Sequence, residues 1–144
     1  MIYTGPTKKA LHIALDAHKD QVDKIGLPYV FHPFHLAEQM PDEISVCVAL
    51  LHDVIEDTDI TFGDLIEQGI PQPAIETLKL LTHDDFVPYM DYVRKIKDSQ
   101  NSIAIAVKLA DLRHNSDLSR LDEIDEKALL RVEKYRGAIE ILEN

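Results

Sequence analysis

Apolar residues recur at helical spacing along most of the chain, and no segment shows the strict alternation that is typical of a half-buried strand. The first helical face runs through residues 7–25, at Leu11, Ala14, Leu15, Ala17, Val22 and Ile25. Further periodic segments begin near residues 33, 42, 61, 71, 88, 102 and 125. The pattern predicts an all-α fold, a compact bundle of about eight helices with no confident strand, in which residues 1–144 form a single domain.

Two of these segments, residues 44–51 and 103–110, are apolar on every side. A helix that is apolar all round is predicted to be buried all round. The first runs into His52 and Asp53, and the second runs into Asp111. Because the helix dipole disfavours a carboxylate at a C-terminal end, these acids need a compensating charge. Two central helices with such ends can bring their carboxylates together, and a divalent cation is the simplest compensation.

The segment 52–57 carries the densest group of polar side chains, namely His52, Asp53, Glu56 and Asp57. If the helix continues, the four-residue spacing places His52 below Glu56 and Asp53 below Asp57. Carboxylates this close repel one another unless a cation or a proton intervenes. A metal site is therefore the first hypothesis, and a solvated helix end is the alternative.

Histidine and carboxylate ligands together favour manganese, iron, cobalt, nickel or zinc over calcium, which prefers an all-oxygen shell. A distant histidine would complete the site, and His32 is the strongest candidate because Pro28 and Pro33 restrict the backbone around it. A capping or packing role is the alternative for His32. Helix geometry predicts that His114 adjoins the site but faces away from Asp111. The other histidines are expected to be structural, packing or surface residues: His12, His18, His35 and His83.

The formal net charge of −11 repels nucleic acid, so DNA or RNA binding is not expected. A small phosphorylated substrate would meet the same repulsion unless the site supplied local positive charge, as a divalent cation and a few lysines would. An acidic surface that aids solubility is the simpler alternative. From the first residues we expect no signal peptide, and no apolar run reaches the ~20 residues that a membrane helix needs. Its one cysteine, Cys47, lies in an apolar segment, so we expect a cytoplasmic protein that does not bind membranes.

Four stretches, in a fixed order, carry a resemblance to known proteins: residues 17–21, 26–33, 49–58 and 107–115. They contain His32 before a proline, the adjacent pair His52 and Asp53 before two acids, and Asp111 before Asn115. This series resembles the metal-binding signature of the HD phosphohydrolase superfamily. More closely, over roughly residues 10–120, the chain resembles the (p)ppGpp hydrolase domain of RelA/SpoT-type enzymes and the stand-alone small alarmone hydrolases.

The resemblance implies an HD-type domain that holds one divalent metal ion, usually Mn²⁺. Its ligands would be His32, His52, Asp53 and Asp111. Glu56 and Asp57 would orient and activate the attacking water, while Lys24 and Asn115 would contact the nucleotide and its phosphates. The implied reaction removes the 3′-pyrophosphate of guanosine polyphosphate alarmones and leaves GDP or GTP and pyrophosphate. A metal ion suits this hydrolysis because it lowers the pKa of bound water, whose proton a nearby carboxylate can take.

The chain departs from this pattern at Asp23 and Lys24, where alarmone hydrolases usually have a basic pair whose arginine helps to bind guanine. One alternative is another HD-domain nucleotide phosphohydrolase, which acts on an adenosine 3′-pyrophosphate analogue or releases a single phosphate as a nucleotidase. A second alternative is a non-catalytic nucleotide sensor. Lys24 has an alternative role as a cation that complements a helix end. The apolar stripe of the last helix predicts core closure, with a homo-oligomer contact as the alternative.

Overall fold

The computed structural model describes residues 1–144 as helices joined by short loops. The α-helices are α1 (Gly5–Ala17), α2 (Phe31–Glu38), α3 (Glu43–Leu51), α4 (Val54–Asp57), α5 (Phe62–Glu67), α6 (Gln72–Leu81), α7 (Tyr89–Asp98), α8 (Ser102–Asn115) and α9 (Glu126–Glu143), and a 3₁₀ turn, η1 (Leu118–Arg120), precedes α9. The all-α prediction is confirmed, since the only strand-like pairing is an isolated bridge between Val22 and Pro28. The third predicted helix is broken in two, which adds one helix to the expected bundle.

Polar residues in front of the helices fix where they begin. Asp42 and Ser45 form a capping box at the start of α3, in which the Ser45 N–H donates to Asp42 Oδ1 at 2.8 Å. Thr61 and Asp64 form another at the start of α5, which begins near residue 61 as predicted. These reciprocal bonds satisfy backbone groups that a helix start leaves unpaired. The defined start of α3 also determines where its other end presents His52.

The first predicted helix is too long, because α1 ends at Ala17 and a loop follows. Asp23 builds this loop, since its Oδ1 accepts hydrogen bonds from the backbone N–H groups of Ile25 and Leu27, both at 3.0 Å. Gly26 adopts a φ of 80°, a left-handed conformation that favours glycine. These bonds from a carboxylate to nearby backbone groups outweigh the helical periodicity of the segment.

The third predicted helix is interrupted between α3 and α4. His52 Nδ1 lies 2.7 Å from the carbonyl oxygen of Ala49, which in an unbroken helix would accept the N–H of Asp53. The imidazole therefore competes with the backbone for that carbonyl, and α3 ends there. Helical bonding resumes where the Asp57 N–H donates to the Asp53 carbonyl at 3.0 Å. The prediction of one continuous helix is wrong, and His52 is not stacked below Glu56 by regular helix geometry.

One cluster of buried apolar side chains holds the helices together. Residues 46–51 of α3 are fully buried, including the free thiol of Cys47, and α3 contacts α1, α2, α6 and α8. The expectation that α8 is buried on all sides is wrong, because Ala106 is exposed and Ile103 is half-buried. α8 therefore has one face in the core, and the buried Asp111 lies on that face.

The last helix, α9, packs against α7 and α8. Its apolar stripe is divided, since Val132 and Leu142 are buried whereas Leu129 and Leu130 are exposed. Core closure therefore explains only part of the stripe. None of the helices is both long and apolar enough to cross a membrane.

Candidate active site

The four predicted metal ligands come from different elements and meet in the interior. His32 lies in the first turn of α2, His52 and Asp53 lie at the break between α3 and α4, and Asp111 lies in α8. His32, His52 and Asp53 each offer one ligand atom within 4.8 Å of the others. Asp111 is outside that mutual group, but its Oδ1 lies 2.9 Å from His32 Nε2 and 3.6 Å from His52 Nε2. The structure therefore brings all four side chains together around the two Nε2 atoms.

The break in the helix sets the tautomer of His52. Because Nδ1 lies 2.7 Å from the Ala49 carbonyl, Nδ1 carries a hydrogen and Nε2 is left with its lone pair in the neutral ring. Nε2 is buried without a hydrogen-bond partner, although Asp53 Oδ2 is 3.0 Å away. Burial alone would lower the pKa of His52, but Asp53 and Asp111 raise it, so this position attracts a cation. A divalent metal ion fits the orphaned nitrogen and its two acidic neighbours.

A second histidine orients His32. His114 adjoins the site as expected, and it faces His32: its Nδ1 lies 2.7 Å from His32 Nδ1, and the rings stack with 9° between their planes. One hydrogen must lie between these nitrogens, and when His32 carries it, His32 Nε2 is free to bind a metal ion. Burial and the charge of Arg120 lower the pKa of His114 to about 4, so its neutral ring can accept that hydrogen bond.

Neighbouring donors keep both aspartates ionised. Burial alone would raise the pKa of Asp53, but His52 and a hydrogen bond from Tyr29 lower it to about 2. The Tyr29 hydroxyl donates to Asp53 Oδ2 at 2.5 Å. Burial would also raise the pKa of Asp111, but Lys108 and the two imidazoles hold it well below its usual range. The cluster therefore presents two anionic ligands.

Lys108 is a site residue that the sequence analysis missed. Its Nζ lies 2.9 Å from Asp111 Oδ2, and its side chain is 14% exposed. Burial alone would lower the pKa of Lys108, but Asp111 and nearby tyrosines raise it well above its ordinary value. The ammonium also lies 5.4 Å from the ring centroid of Tyr92, a contact that favours a cation. The only signal in the sequence is a lysine three residues before Asp111 in an otherwise apolar helix, which places the two on one face.

The two predicted catalytic acids lie in different surroundings. Glu56 lines a small pocket of about 80 Å³ together with three of the four predicted ligands. Its carboxylate accepts a hydrogen bond from the backbone N–H of His83. Burial and the charge of Asp53 raise the pKa of Glu56, against the effect of that hydrogen bond. Burial and Asp53 also raise the pKa of Asp57, but Asp57 lines neither this pocket nor the larger cavity of the site.

A larger cavity of about 430 Å³ reaches His32 and is large enough for a nucleotide. Both predicted substrate-binding residues, Lys24 and Asn115, line it. Asn115 Nδ2 also donates to Asp111 Oδ1 at 2.9 Å, which connects the cavity to the ligand cluster. Two arginines that the sequence analysis missed, Arg120 and Arg131, line the same cavity. Much of the remaining wall is apolar: Val22, Ile25, Leu118, Leu121, Ala128 and Val132.

Several known proteins are similar in sequence. The bifunctional (p)ppGpp synthase/hydrolase SpoT of Escherichia coli K12 is 33% identical over 121 residues, which cover 75% of this chain and 17% of SpoT. The GTP pyrophosphokinase of Myxococcus xanthus is 32% identical over 140 residues, which cover 87% of this chain and 18% of that protein. The guanosine-3′,5′-bis(diphosphate) 3′-pyrophosphohydrolase of Vibrio cholerae is 47% identical over 70 residues, which cover 43% of this chain and 10% of that protein. No protein-family model matches the chain.

One solved structure, described as a metazoan ortholog of SpoT that hydrolyzes ppGpp and plays a role in starvation responses, superposes with a TM-score of 0.80. The match covers 99% of this chain and 88% of that chain at 22% identity, which shows a shared fold. The chain spans less than a fifth of the length of the curated relatives it matches, at 17% and 18% of the two longest alignments described. The resemblance predicted from the sequence is confirmed: in sequence and in fold, this chain resembles the HD-domain (p)ppGpp hydrolases of the SpoT and RelA type.

Proposed function

We propose that residues 1–144 form one metal-dependent phosphohydrolase domain that removes the 3′-pyrophosphate of guanosine polyphosphate alarmones, converting (p)ppGpp to GDP or GTP and pyrophosphate. The observation that carries this proposal is the convergence of two imidazole Nε2 atoms and two ionised carboxylates beside a nucleotide-sized cavity. The hydrolase activities named for SpoT of Escherichia coli, for the Vibrio cholerae relative and for the metazoan SpoT ortholog support it, although the Myxococcus xanthus relative is named a GTP pyrophosphokinase.

One divalent ion, for which we propose Mn²⁺, would be held by His32, His52, Asp53 and Asp111. A mixed set of imidazole and carboxylate ligands suits this ion. When bound, it would neutralise phosphate charge and lower the pKa of a bound water. Each histidine is oriented through its Nδ1 atom, His52 by a backbone carbonyl and His32 by His114, as ligating histidines commonly are.

We assign Glu56 the role of general base. It is the acid that shares a pocket with the ligand cluster, and its raised pKa suits a group that accepts a proton near neutral pH. The hydrogen bond from the His83 N–H fixes the direction of its carboxylate. Asp57 lines neither cavity, so we assign it a positioning role beside Asp53.

The proposed reaction is a single hydrolysis. The oxygen of a water molecule attacks the phosphorus atom bonded to the 3′-oxygen, and the bond between that phosphorus and the 3′-oxygen breaks. One proton of the water passes to Glu56, the 3′-oxygen takes up a proton from solvent to become a hydroxyl, and Glu56 then releases its proton to solvent. Lys24 and Asn115 would hold the nucleotide in the cavity that reaches His32.

A second candidate is a different HD-domain nucleotide phosphohydrolase. Asp23 favours it, because an acid stands where the alarmone hydrolases usually have the arginine that helps to bind guanine. The substrate would then be an adenosine 3′-pyrophosphate analogue, or the product would be a single phosphate. The identity of the preferred base and of the released product separates the two candidates.

The test is a screen of ppGpp, pppGpp and an adenosine 3′-pyrophosphate analogue, with Mn²⁺ or with a chelator, in which both pyrophosphate and orthophosphate are measured. Mn²⁺-dependent release of pyrophosphate from ppGpp supports the proposal, and orthophosphate as the product contradicts it. Asp53→Asn and Asp111→Asn should abolish turnover. The control Asp91→Asn, which removes an exposed carboxylate paired with Arg94, should not. Nucleotide binding without turnover by the unaltered protein would instead identify a sensor.

A further inference from the structure

The cavity contains a cation that comes from a part of the chain distant in sequence from Lys24. Arg120 is the last residue of η1, and its Nη1 donates to the carbonyl oxygen of His114 at 2.8 Å. Its Nη2 lies 3.9 Å from Asp23 Oδ2, and the Arg120 side chain is 27% exposed. A guanidinium has five N–H donors in a fixed plane, so these two contacts hold its orientation and leave other donors free.

Asp23 can hold Arg120 because its own conformation is fixed. Its Oδ1 accepts the N–H groups of Ile25 and Leu27, both at 3.0 Å, and this leaves Oδ2 directed at the guanidinium. The residue that departs from the family pattern is therefore a loop-building acid whose second oxygen faces an arginine. A positive charge therefore lies beside Asp23, and it comes from Arg120 rather than from an arginine at position 23.

Three cations line this cavity, namely Lys24, Arg120 and Arg131. Burial, Arg131 and Arg120 lower the pKa of Lys24, and Asp125 opposes them only in part. Both arginines therefore repel Lys24, in a protein whose net charge is −11. Like charges that converge on a cavity favour binding of an anion there, because the anion relieves their repulsion.

The same cavity reaches His32 and Asn115 next to the ligand cluster. A ligand that fills it would therefore contact the metal site, through His32 and Asn115, as well as the three cations. We propose that Arg120, held by Asp23, is a specificity-determining residue that binds the 5′-phosphates of the nucleotide, while the apolar wall receives the base. This inference rests on the proposed function for the identity of the nucleotide.

The test is calorimetric binding of GDP and of guanosine, in the presence of a chelator so that the metal site does not contribute. Arg120→Gln should raise the Kd for GDP about tenfold, in the range expected for a hydrogen bond to a charged group, and leave guanosine unaffected. Asp23→Asn keeps an oxygen for the loop but turns an amide NH₂ group toward Arg120, so the arginine loses its anionic partner and the Kd for GDP should rise, by less than in Arg120→Gln, while guanosine binding is unaffected. Arg113→Gln, which removes an exposed arginine paired with Glu143, is the matched control and should bind GDP normally.

A merely structural link between Asp23 and Arg120 predicts a different result, in which both variants weaken GDP and guanosine alike. That result, or a failure of the unaltered protein to bind GDP, would overturn the inference. If Arg120→Gln does not fold by circular dichroism, Arg120→Lys replaces it and should give an intermediate Kd, and GDP binding by the unaltered protein should fall with added salt while guanosine binding does not.

Hydrolysis of ppGpp by the unaltered protein is measured separately. Arg120-dependent GDP binding without pyrophosphate release from ppGpp would reject the proposed function and keep the anion subsite. Pyrophosphate release with GDP binding that is independent of Arg120 would reject the subsite and keep the function. Where both hold, Arg120→Gln should raise KM for ppGpp with little change in kcat, and should leave KM unchanged for guanosine 3′-diphosphate, which lacks the 5′-phosphates.

Discussion

Replacement of Lys108 by methionine should destabilise the metal-free protein and tighten metal binding at the same time. Lys108 Nζ lies 2.9 Å from Asp111 Oδ2, and the two side chains are 14% and 9% exposed. Loss of one partner of a buried ion pair leaves an uncompensated charge and typically costs about 3–5 kcal/mol. Methionine keeps most of the length and the apolar contacts of the lysine stem, so the expected loss is chiefly one of charge.

A bound divalent ion should offset part of this loss, because it compensates the charge of Asp111 in place of the ammonium. Two cations that share one carboxylate repel each other, so Lys108 also weakens metal binding. The loss of unfolding free energy without metal, minus the loss with metal, equals the gain in metal-binding free energy. We expect about 2 kcal/mol to be recovered in the metal-bound protein, which corresponds to a metal Kd about thirtyfold lower.

Urea unfolding in EDTA and in saturating Mn²⁺ measures both losses, and calorimetric titration of Mn²⁺ measures the affinity. The control is Lys79→Met, which removes the i, i+3 partner of Glu76 from an exposed ion pair of 3.5 Å. Its loss should be no more than about 0.5 kcal/mol in either condition. Equal losses for Lys108→Met with and without Mn²⁺, or weaker Mn²⁺ binding, would refute the reasoning that Lys108 and the metal share Asp111.

Glu56→Gln should keep its Mn²⁺ affinity and lose about 10²–10⁴-fold in kcat, because only the proton acceptor is removed; normal pyrophosphate release by this variant would exclude Glu56 as the base. His114→Phe should weaken Mn²⁺ binding about 10–100-fold, because His32 loses the nitrogen that orients it, whereas His35→Phe, which alters the next ring of the stack, should not. In the metal-free protein, Asp53 should account for about 2 kcal/mol of the unfolding free energy that is lost as the pH falls from about 4 to about 2. The depressed pKa of Asp53, about 2, means that its contribution is present above the unfolded-state pKa and is lost as the folded carboxylate is protonated. An Asp53→Asn protein with an equally steep loss over that range would contradict this source.

Apolar periodicity and helix starts depend on neighbouring residues, so the sequence predicts them well. α8 begins at Ser102 and α5 at Phe62, next to the predicted starts near residues 102 and 61. The predicted ends of two helices were wrong, because in each case a side chain competes with the backbone for hydrogen bonds. Asp23 bonds to the N–H groups of its own loop, and His52 bonds to the Ala49 carbonyl, so each helix stops where periodicity alone would extend it.

Residue type and spacing were sufficient to select the side chains that converge around the two Nε2 atoms, but the residues that support them depend on packing. His114 lies beside Asp111 in the sequence, and only the contact of α2 with α8 brings it to His32. Lys108 shares a helical face with Asp111, but its burial follows from the helices around it. Arg120 reaches Asp23 because η1 packs against the loop after α1, which no local pattern indicates.

The three cations of the cavity and the ligand cluster should bind different phosphate groups of a ligand. Lys24, Arg120 and Arg131 line the cavity beside Asp23 and Asp117, and the ligand cluster would gain positive charge from a divalent ion. A nucleotide with phosphates at one end satisfies one of these groups and leaves the other without a counter-charge. Selection of ppGpp over GDP should therefore depend on the ligand cluster, and selection of ppGpp over guanosine 3′-diphosphate should depend on Arg120. A variant of Arg120 should change only the preference for ppGpp over guanosine 3′-diphosphate, and a variant of a metal ligand only the preference for ppGpp over GDP, because the two groups bind different phosphates.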